Sequence, residues 1–403
     1  MLRKITIWIV LMITTVLITI WGYPKQVHSQ INDSLRIDKI TPEDVSGGDS
    51  FGFAVAVKND YGLIGAPYQD NSGVDTGAVY LFDLSTNKQI RKLTVKEEKE
   101  GDLFGYAVSL SDEYALIGQP YTDQGAIDGG GAHLFALDSL RYPKQLTTED
   151  LKEGDLFGYA VAVSDQYALV SAPYQDTRGV DSGVVYLFDV TTGKQLRKLT
   201  PRDGNAGDLF GYSVAIAPGY ALIGAPYRDE RGVDSGAVYW FDLETGEQLA
   251  KLVPTDGANA GDLFGYSVAI APGYALIGAP YRDSVGTDAG SVYLFDLNTG
   301  AQINKIEPQD LAAGDVYGHS LAFFGNALLV GAPYQDRGGL DTGGAYLSDF
   351  AYKNQVPQNV EIQSQPGDLL GYAVGGAQDF ALIGAPYGDD FGADSGVVYR
   401  IQR

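Results

Sequence analysis

One phrase recurs seven times in this chain of 403 residues: Gly-Asp-Leu-Phe-Gly-Tyr, a small-apolar run, Ala-Leu-Ile-Gly-Ala-Pro-Tyr, an Asp-bearing loop, then Gly-x-Val-Tyr-Leu-Phe-Asp. The copies open near Gly48, Gly101, Gly154, Gly207, Gly261, Gly314 and Gly367, at intervals of 53 or 54 residues. Spacing this even means one supersecondary unit, copied.

The third unit is typical. Tyr159–Val163, Tyr167–Ala172 and Val184–Phe188 are apolar runs, and Gln195–Thr200 is a more polar fourth. Turn chemistry separates them, Ser164-Asp165-Gln166 between the first two and Thr192-Gly193-Lys194 between the last two. No stretch reads as a helix. Four strands per unit is the count of a propeller blade. The Ala-rich first strand suits the crowded centre. The fourth, with Arg197 and Lys198, suits an outer edge that has to be protected against pairing with another chain. The last unit stops at Arg403 without a fourth strand, and Leu35–Thr41 ahead of the first unit matches Leu196–Thr200 in type. The expected fold is therefore all-β: a seven-bladed β-propeller of four-stranded antiparallel blades, closed by an N-terminal strand that completes the last blade.

Residues 1–29 stand apart. Arg3 and Lys4 precede the apolar stretch Ile5–Trp21, and Val27-His28-Ser29 places a small residue before a cut at Gln30, the layout of a secretory signal peptide. An uncleaved anchor is the alternative, at the lower length limit for spanning a bilayer. On either reading residues 30–403 form one propeller that acts outside the cytoplasm, secreted, periplasmic or at the cell surface. Membrane contact then comes only through an uncleaved N-terminal segment. With 51 acidic against 28 basic residues and a net charge of −23, the chain lacks the clustered cations that nucleic acid requires. It has no Cys, which excludes disulfides, thiolate metal sites and a Cys nucleophile.

The Phe-Gly pairs are Phe51-Gly52, Phe104-Gly105, Phe157-Gly158, Phe210-Gly211 and Phe264-Gly265, with Tyr317-Gly318 and Leu370-Gly371 as variants. Gly-Ala-Pro follows at Gly65, Gly224, Gly278, Gly331 and Gly384, with Gly118-Gln119-Pro120 and Ser171-Ala172-Pro173 as variants. From about residue 35 to the end the chain resembles FG-GAP repeat proteins, the family of the integrin alpha head propeller and of many secreted bacterial proteins. Propellers built on a Trp in every blade fit worse, since Trp8 and Trp21 of the three Trp are in the leader. Integrin-type repeats often carry an Asp-x-Asp-x-Asp-Gly calcium loop between the first two strands. Here that connection is Lys58-Asn59-Asp60, Ser111-Asp112-Glu113, Ser164-Asp165-Gln166 or Ala-Pro-Gly, so that site is not carried over.

A different Asp pair recurs between the second and third strands: Asp70 and Asp75, Asp123 and Asp128, Asp176 and Asp181, Asp229 and Asp234, Asp283 and Asp288, Asp336 and Asp341, Asp389 and Asp394. Turn formation explains such a pair, with carboxylates accepting backbone N–H groups. Calcium held within each loop, completed by backbone carbonyls, is the other reading.

Antiparallel order puts these loops on the same face as the long, acidic connections from each fourth strand to the next first strand. The resemblance implies that this loop face is a binding face. The Tyr after each Gly-Ala-Pro would ring it. Tyr227, Tyr281, Arg178, Arg228, Arg231, Arg282 and Arg337 are its ligand-binding candidates, the arginines because they are not repeated in all seven units.

Catalysis needs an asymmetric constellation that this sequence barely offers. His133 and His319 stand where other units have aromatic residues, and the carboxylates are repeated like a scaffold. The expectation is a non-catalytic adhesion or protein-binding propeller with an extracellular or periplasmic protein partner. The alternative is a lectin-like propeller for a cell-surface glycan, and a polysaccharide-active enzyme ranks below both.

Overall fold

The two middle strands of every unit are apolar on both faces, so they require cover on both sides. Tyr61–Ala66 and Ala78–Asp83 are buried along nearly their whole length. The computed structural model describes residues 35–96, 99–140, 143–349 and 356–403, and among these it contains strands and turns but no helix. The expected leader, residues 1–29, lies outside the described residues.

Seven four-stranded antiparallel sheets follow one another in a ring. Blade one is Ala54–Lys58, Tyr61–Ala66, Ala78–Asp83 and Lys88–Leu93. First strands of successive blades pack beside each other around the axis, from blade one through blade seven and back to blade one. The first strand is thus innermost and the charged fourth strand outermost, as the composition gradient indicates.

The signature residues sit where blade meets blade. Phe104 is fully buried, edge-on to Phe135 of its own blade at 6.3 Å and in a cluster with Leu63, Val79 and Leu81 of the blade before. Gly65 of one blade lies against the Gly105 backbone of the next, and a Cβ on Gly65 would collide with the Gly105 carbonyl oxygen. A ladder of backbone hydrogen bonds closes the same junction: Gly101 N–H donates to the Val74 carbonyl at 3.1 Å, Leu103 N–H to Asp75 at 3.2 Å and Phe104 N–H to Thr76 at 3.0 Å. Blade three carries Ser171 in place of that glycine. There the hydroxyl accepts the Ala160 N–H at 2.9 Å, and the first strand shortens to Val161–Val163.

The seam is closed by the N-terminal strand. Arg36–Ile40 pairs antiparallel with Val397–Gln402, with Arg36 opposite Gln402 and Ile40 opposite Val398. Ile40 is 2% exposed and packs with Phe51 and Phe380. Arg400 occupies a position held in other blades by Leu81, Leu187, Trp240 or Leu294. Its buried guanidinium donates to Asp38 of the N-terminal strand and to the Leu84 carbonyl of blade one, joining three segments of the seam. Both ends of the ring, Arg36 and Arg403, therefore lie on the face opposite the loops between second and third strands.

Two blades depart from the pattern. The fourth strand is only Lys144–Leu146 in blade two and Gln358–Asn359 in blade six, against five or six residues elsewhere.

Ile40→Ala should lower stability by about 2–4 kcal/mol, the usual cost of truncating a buried aliphatic side chain. Ile90→Ala on the exposed side of the blade-one fourth strand should change it by less than about 0.5 kcal/mol. Removing residues 30–41 should abolish cooperative folding. Denaturant melts followed by circular dichroism test all three, and a truncated protein with an unchanged midpoint would refute closure by this strand.

Candidate functional site

The loop face is built from the Asp-bearing turns. In all seven, the first Asp accepts the backbone N–H of the second through Oδ1, at 2.8 to 3.3 Å. The second Asp has φ between 49° and 55° in every case. Asp tolerates this left-handed conformation better than most residues because its short side chain bonds locally. The fourteen aspartates Asp70, Asp75, Asp123, Asp128, Asp176, Asp181, Asp229, Asp234, Asp283, Asp288, Asp336, Asp341, Asp389 and Asp394 are thereby placed in seven equivalent turn braces. Among the described residues, no group of three or more His, Asp or Glu side chains converges in a way that could hold a metal ion.

Two sets of aromatic side chains stand around the axis on this face. Phe53, Tyr106, Tyr159, Tyr212, Tyr266, His319 and Tyr372 form a closed circle, with successive ring centroids 4.9 to 5.4 Å apart. Edge-on against them stand the tyrosines after Gly-Ala-Pro, Tyr68, Tyr121, Tyr174, Tyr227, Tyr281 and Tyr387, at 6.0 to 6.4 Å. The inner hydroxyls of Tyr159, Tyr212 and Tyr266 are pushed well above the ordinary phenol range by burial, then by their tyrosine neighbours. They stay neutral phenols. The candidates Tyr227 and Tyr281 belong to the half-buried outer ring.

His319 completes the inner circle as an aromatic replacement. Its Nδ1 lies 3.0 Å from the Tyr372 carbonyl, which can only accept, so Nδ1 carries the hydrogen and Nε2 accepts from the Tyr266 hydroxyl at 3.4 Å. Burial holds its pKa down at about 4. His133 also replaces a tyrosine: it stands edge-on to Phe104 at 5.7 Å, its Nε2 bonds Gln119 at 2.9 Å, and burial holds its pKa at about 4. Gln119 is the residue that interrupts Gly-Ala-Pro in the same blade, so the two departures from the repeat touch each other.

The arginine candidates separate into three situations. Arg282 is 8% exposed and donates to Asp262 at 2.6 Å, while Arg228 bonds Asp208 at 3.2 Å and lies near Asp203 and Glu230. These two guanidinium groups are spent inside the protein. Arg337 pairs with Asp310, and Arg178 donates to the Arg202 carbonyl at 3.2 Å. Arg231 is exposed, and its backbone N–H donates to Ser235.

Much of the acid in the connections between blades is also used internally. Asp44 accepts from Tyr80 at 2.9 Å and from Lys92 at 2.7 Å, with Lys92 lying over the Tyr80 ring. Asp150 is held in the same way by Tyr186 and Lys198. The outer-strand lysines thus do more than guard an edge. A ring of buried acids escaped the sequence reading altogether. Asp49, Asp102, Asp155, Asp208, Asp262, Asp315 and Asp368 are each under 9% exposed, and each accepts the backbone N–H of the residue three before it. Burial raises the pKa of Asp49, Asp102, Asp155, Asp208 and Asp315. Their recurrence directly after the first glycine of each unit was the available signal.

The family model described as FG-GAP repeat matches residues 36–82, 88–135, 143–188, 194–241, 247–295 and 301–348. Each match runs from an outermost strand through the third strand of the next blade, and the first begins on the closing strand. No curated protein matches the chain.

Folding keeps His319 neutral, so it contributes stability that is complete above about pH 6.5, the unfolded value, and is lost as pH falls toward 4. His319→Tyr, which installs the residue that five other blades carry, should shrink the fall in melting temperature between about pH 7 and 4.5. An identical acid response in both proteins would show that His319 is not held neutral.

Proposed function

Because the chain belongs to the FG-GAP repeat family, we propose that it is a non-catalytic binding or adhesion module that acts outside the cytoplasm and takes one protein partner on its loop face. The observation that carries this reading is the double aromatic ring. It occurs once per chain, on the axis, whereas the Asp loops occur seven times. A site on the axis suits a single partner, and large, rigid aromatic bodies with polar tips are the usual anchors of protein interfaces.

The chemistry of the side chains favours binding over catalysis. Both mature histidines are engaged and held neutral, and the carboxylates act as braces or ion-pair partners. The Asp pairs serve as loop braces in this reading. The exposed Arg231 and the half-buried Tyr227 lie on one loop and are the contacts offered to a partner.

Native mass spectrometry of the mature ring with candidate extracellular proteins, alongside a glycan array, tests the proposal. The expected result is one protein bound per ring, weakened by about tenfold or more in Tyr227→Ala, as for an interface anchor worth over 1 kcal/mol. A glycan filling several equivalent sites per chain would replace this reading by the lectin one.

A further inference from the structure

Every blade exposes one apolar side chain at the tip of its Asp loop. Val74, Ile127, Val180, Val233 and Leu340 share one position in the repeat and are 55% to 71% exposed. Blades five and seven carry Thr287 and Ala393 at that position. In those two blades alone, the residue two places earlier is apolar, Val285 at 60% and Phe391 at 46% exposed, where the others have Ser72, Gly125, Arg178, Arg231 and Gly338. Single exposed aliphatic residues are ordinary on a protein surface. Their presence once in every blade, with the apolar group moved but kept where the shared position changes, is not explained by chance exposure.

The tips are held rigid from below. The carbonyl of each shared position accepts the N–H of the first glycine of the next unit, at 2.8 to 3.1 Å, as Val180 does from Gly207 and Ala393 from Gly48. These side chains stand above a latch that uses only backbone. Each shared position is followed directly by one aspartate of the brace and preceded, four residues earlier, by the other, and Val285 and Phe391 lie between the two. Three arginines of these loops, Arg228, Arg282 and Arg337, are paired with acids of the connections between blades, whereas Arg178 and Arg231 remain beside the tips of blades three and four and Lys99 reaches the brace Asp123 at 3.6 Å.

Resting on the reading of the loop face as protein-binding, we infer that this rim of aliphatic tips set among carboxylates receives a cationic amphipathic segment of the partner, its apolar side chains on the tips and its Lys or Arg groups on the Asp braces. The charge complementarity selects the cation, and the tips select the apolar face. A highly charged basic chain without an apolar face would use only half of the surface.

The test uses the mature ring and three labelled peptides of about 18 residues: Leu and Lys at helical spacing, the same composition scrambled to remove the apolar face, and Leu with Glu at helical spacing. In about 0.15 M salt, where long-range attraction is screened, the amphipathic cationic peptide should bind about tenfold or more tightly than its scrambled isomer by fluorescence anisotropy. The anionic peptide should not bind. Replacing Val74, Val180, Val233 and Leu340 together by Ser should remove the preference for the amphipathic isomer without lowering the melting temperature, because all four are exposed. Replacing Asp70, Asp176, Asp229 and Asp336 by Asn, which keeps the Oδ1 acceptor, should flatten the salt dependence. Equal binding of the two cationic isomers, or a preference that survives the Ser replacements, would overturn the inference and leave the one-partner reading standing. Cross-links from the amphipathic peptide to the face bearing Arg36 and Arg403 would overturn both.

Discussion

Backbone meeting backbone between blades is the contact on which the ring depends. Gly65 accepts the Gly105 backbone at a distance that leaves no room for a side chain, and the hydrogen bonds from Gly101, Leu103 and Phe104 to the preceding loop form beside it. Without that approach the buried Phe104 could not reach the apolar strands of the blade before it. Six of the seven blades repeat this glycine and blade three accommodates Ser171 in its place, so nearly the same angle recurs between blades. Seven such steps then bring blade seven to blade one, with Gly384 against Gly52.

The same junction produces the surface that would do the binding. Latching the first glycine of a unit to the preceding loop pins that loop, and the Asp brace fixes its shape from within. The face is consequently a rigid array rather than a set of mobile loops. A preformed surface loses little conformational freedom on binding, which favours affinity for a partner of matching shape. Inside the array, polar groups are consumed in pairs: Asp44 with Tyr80 and Lys92, Asp262 with Arg282. What is left outward is the braces, the tips and the aromatic side chains around the axis.

Much of this was legible in the residues. Period, strand count, the inner and outer ends of the blade and closure by Arg36–Ile40 all followed from spacing and alternation, because those signals are local or repeat along the chain. The aromatic nature of positions 133 and 319 was legible in the same way. Arg228 and Arg282 were not. As unrepeated cations on loops they looked available, yet folding sets them beside Asp208 and Asp262, twenty residues away in sequence, and the pairing uses their charge. The shortened fourth strands of blades two and six were also hidden, since they arise where irregular sequence replaces the outer strand.

By itself, then, the sequence determined what repeats: a glycine where two backbones must touch, an aromatic where blades pack, an Asp where a turn must bend left-handed. These are constraints on single positions, and residue type states them directly. Only the tertiary structure decided which charges remain free and that the aromatics form one closed circle on the axis, because both depend on distances between units that no single unit contains. Closure itself sits between the two. Its strand was recognisable by type, but Arg400 became its clasp only when folding placed Asp38 and Leu84 around one buried guanidinium.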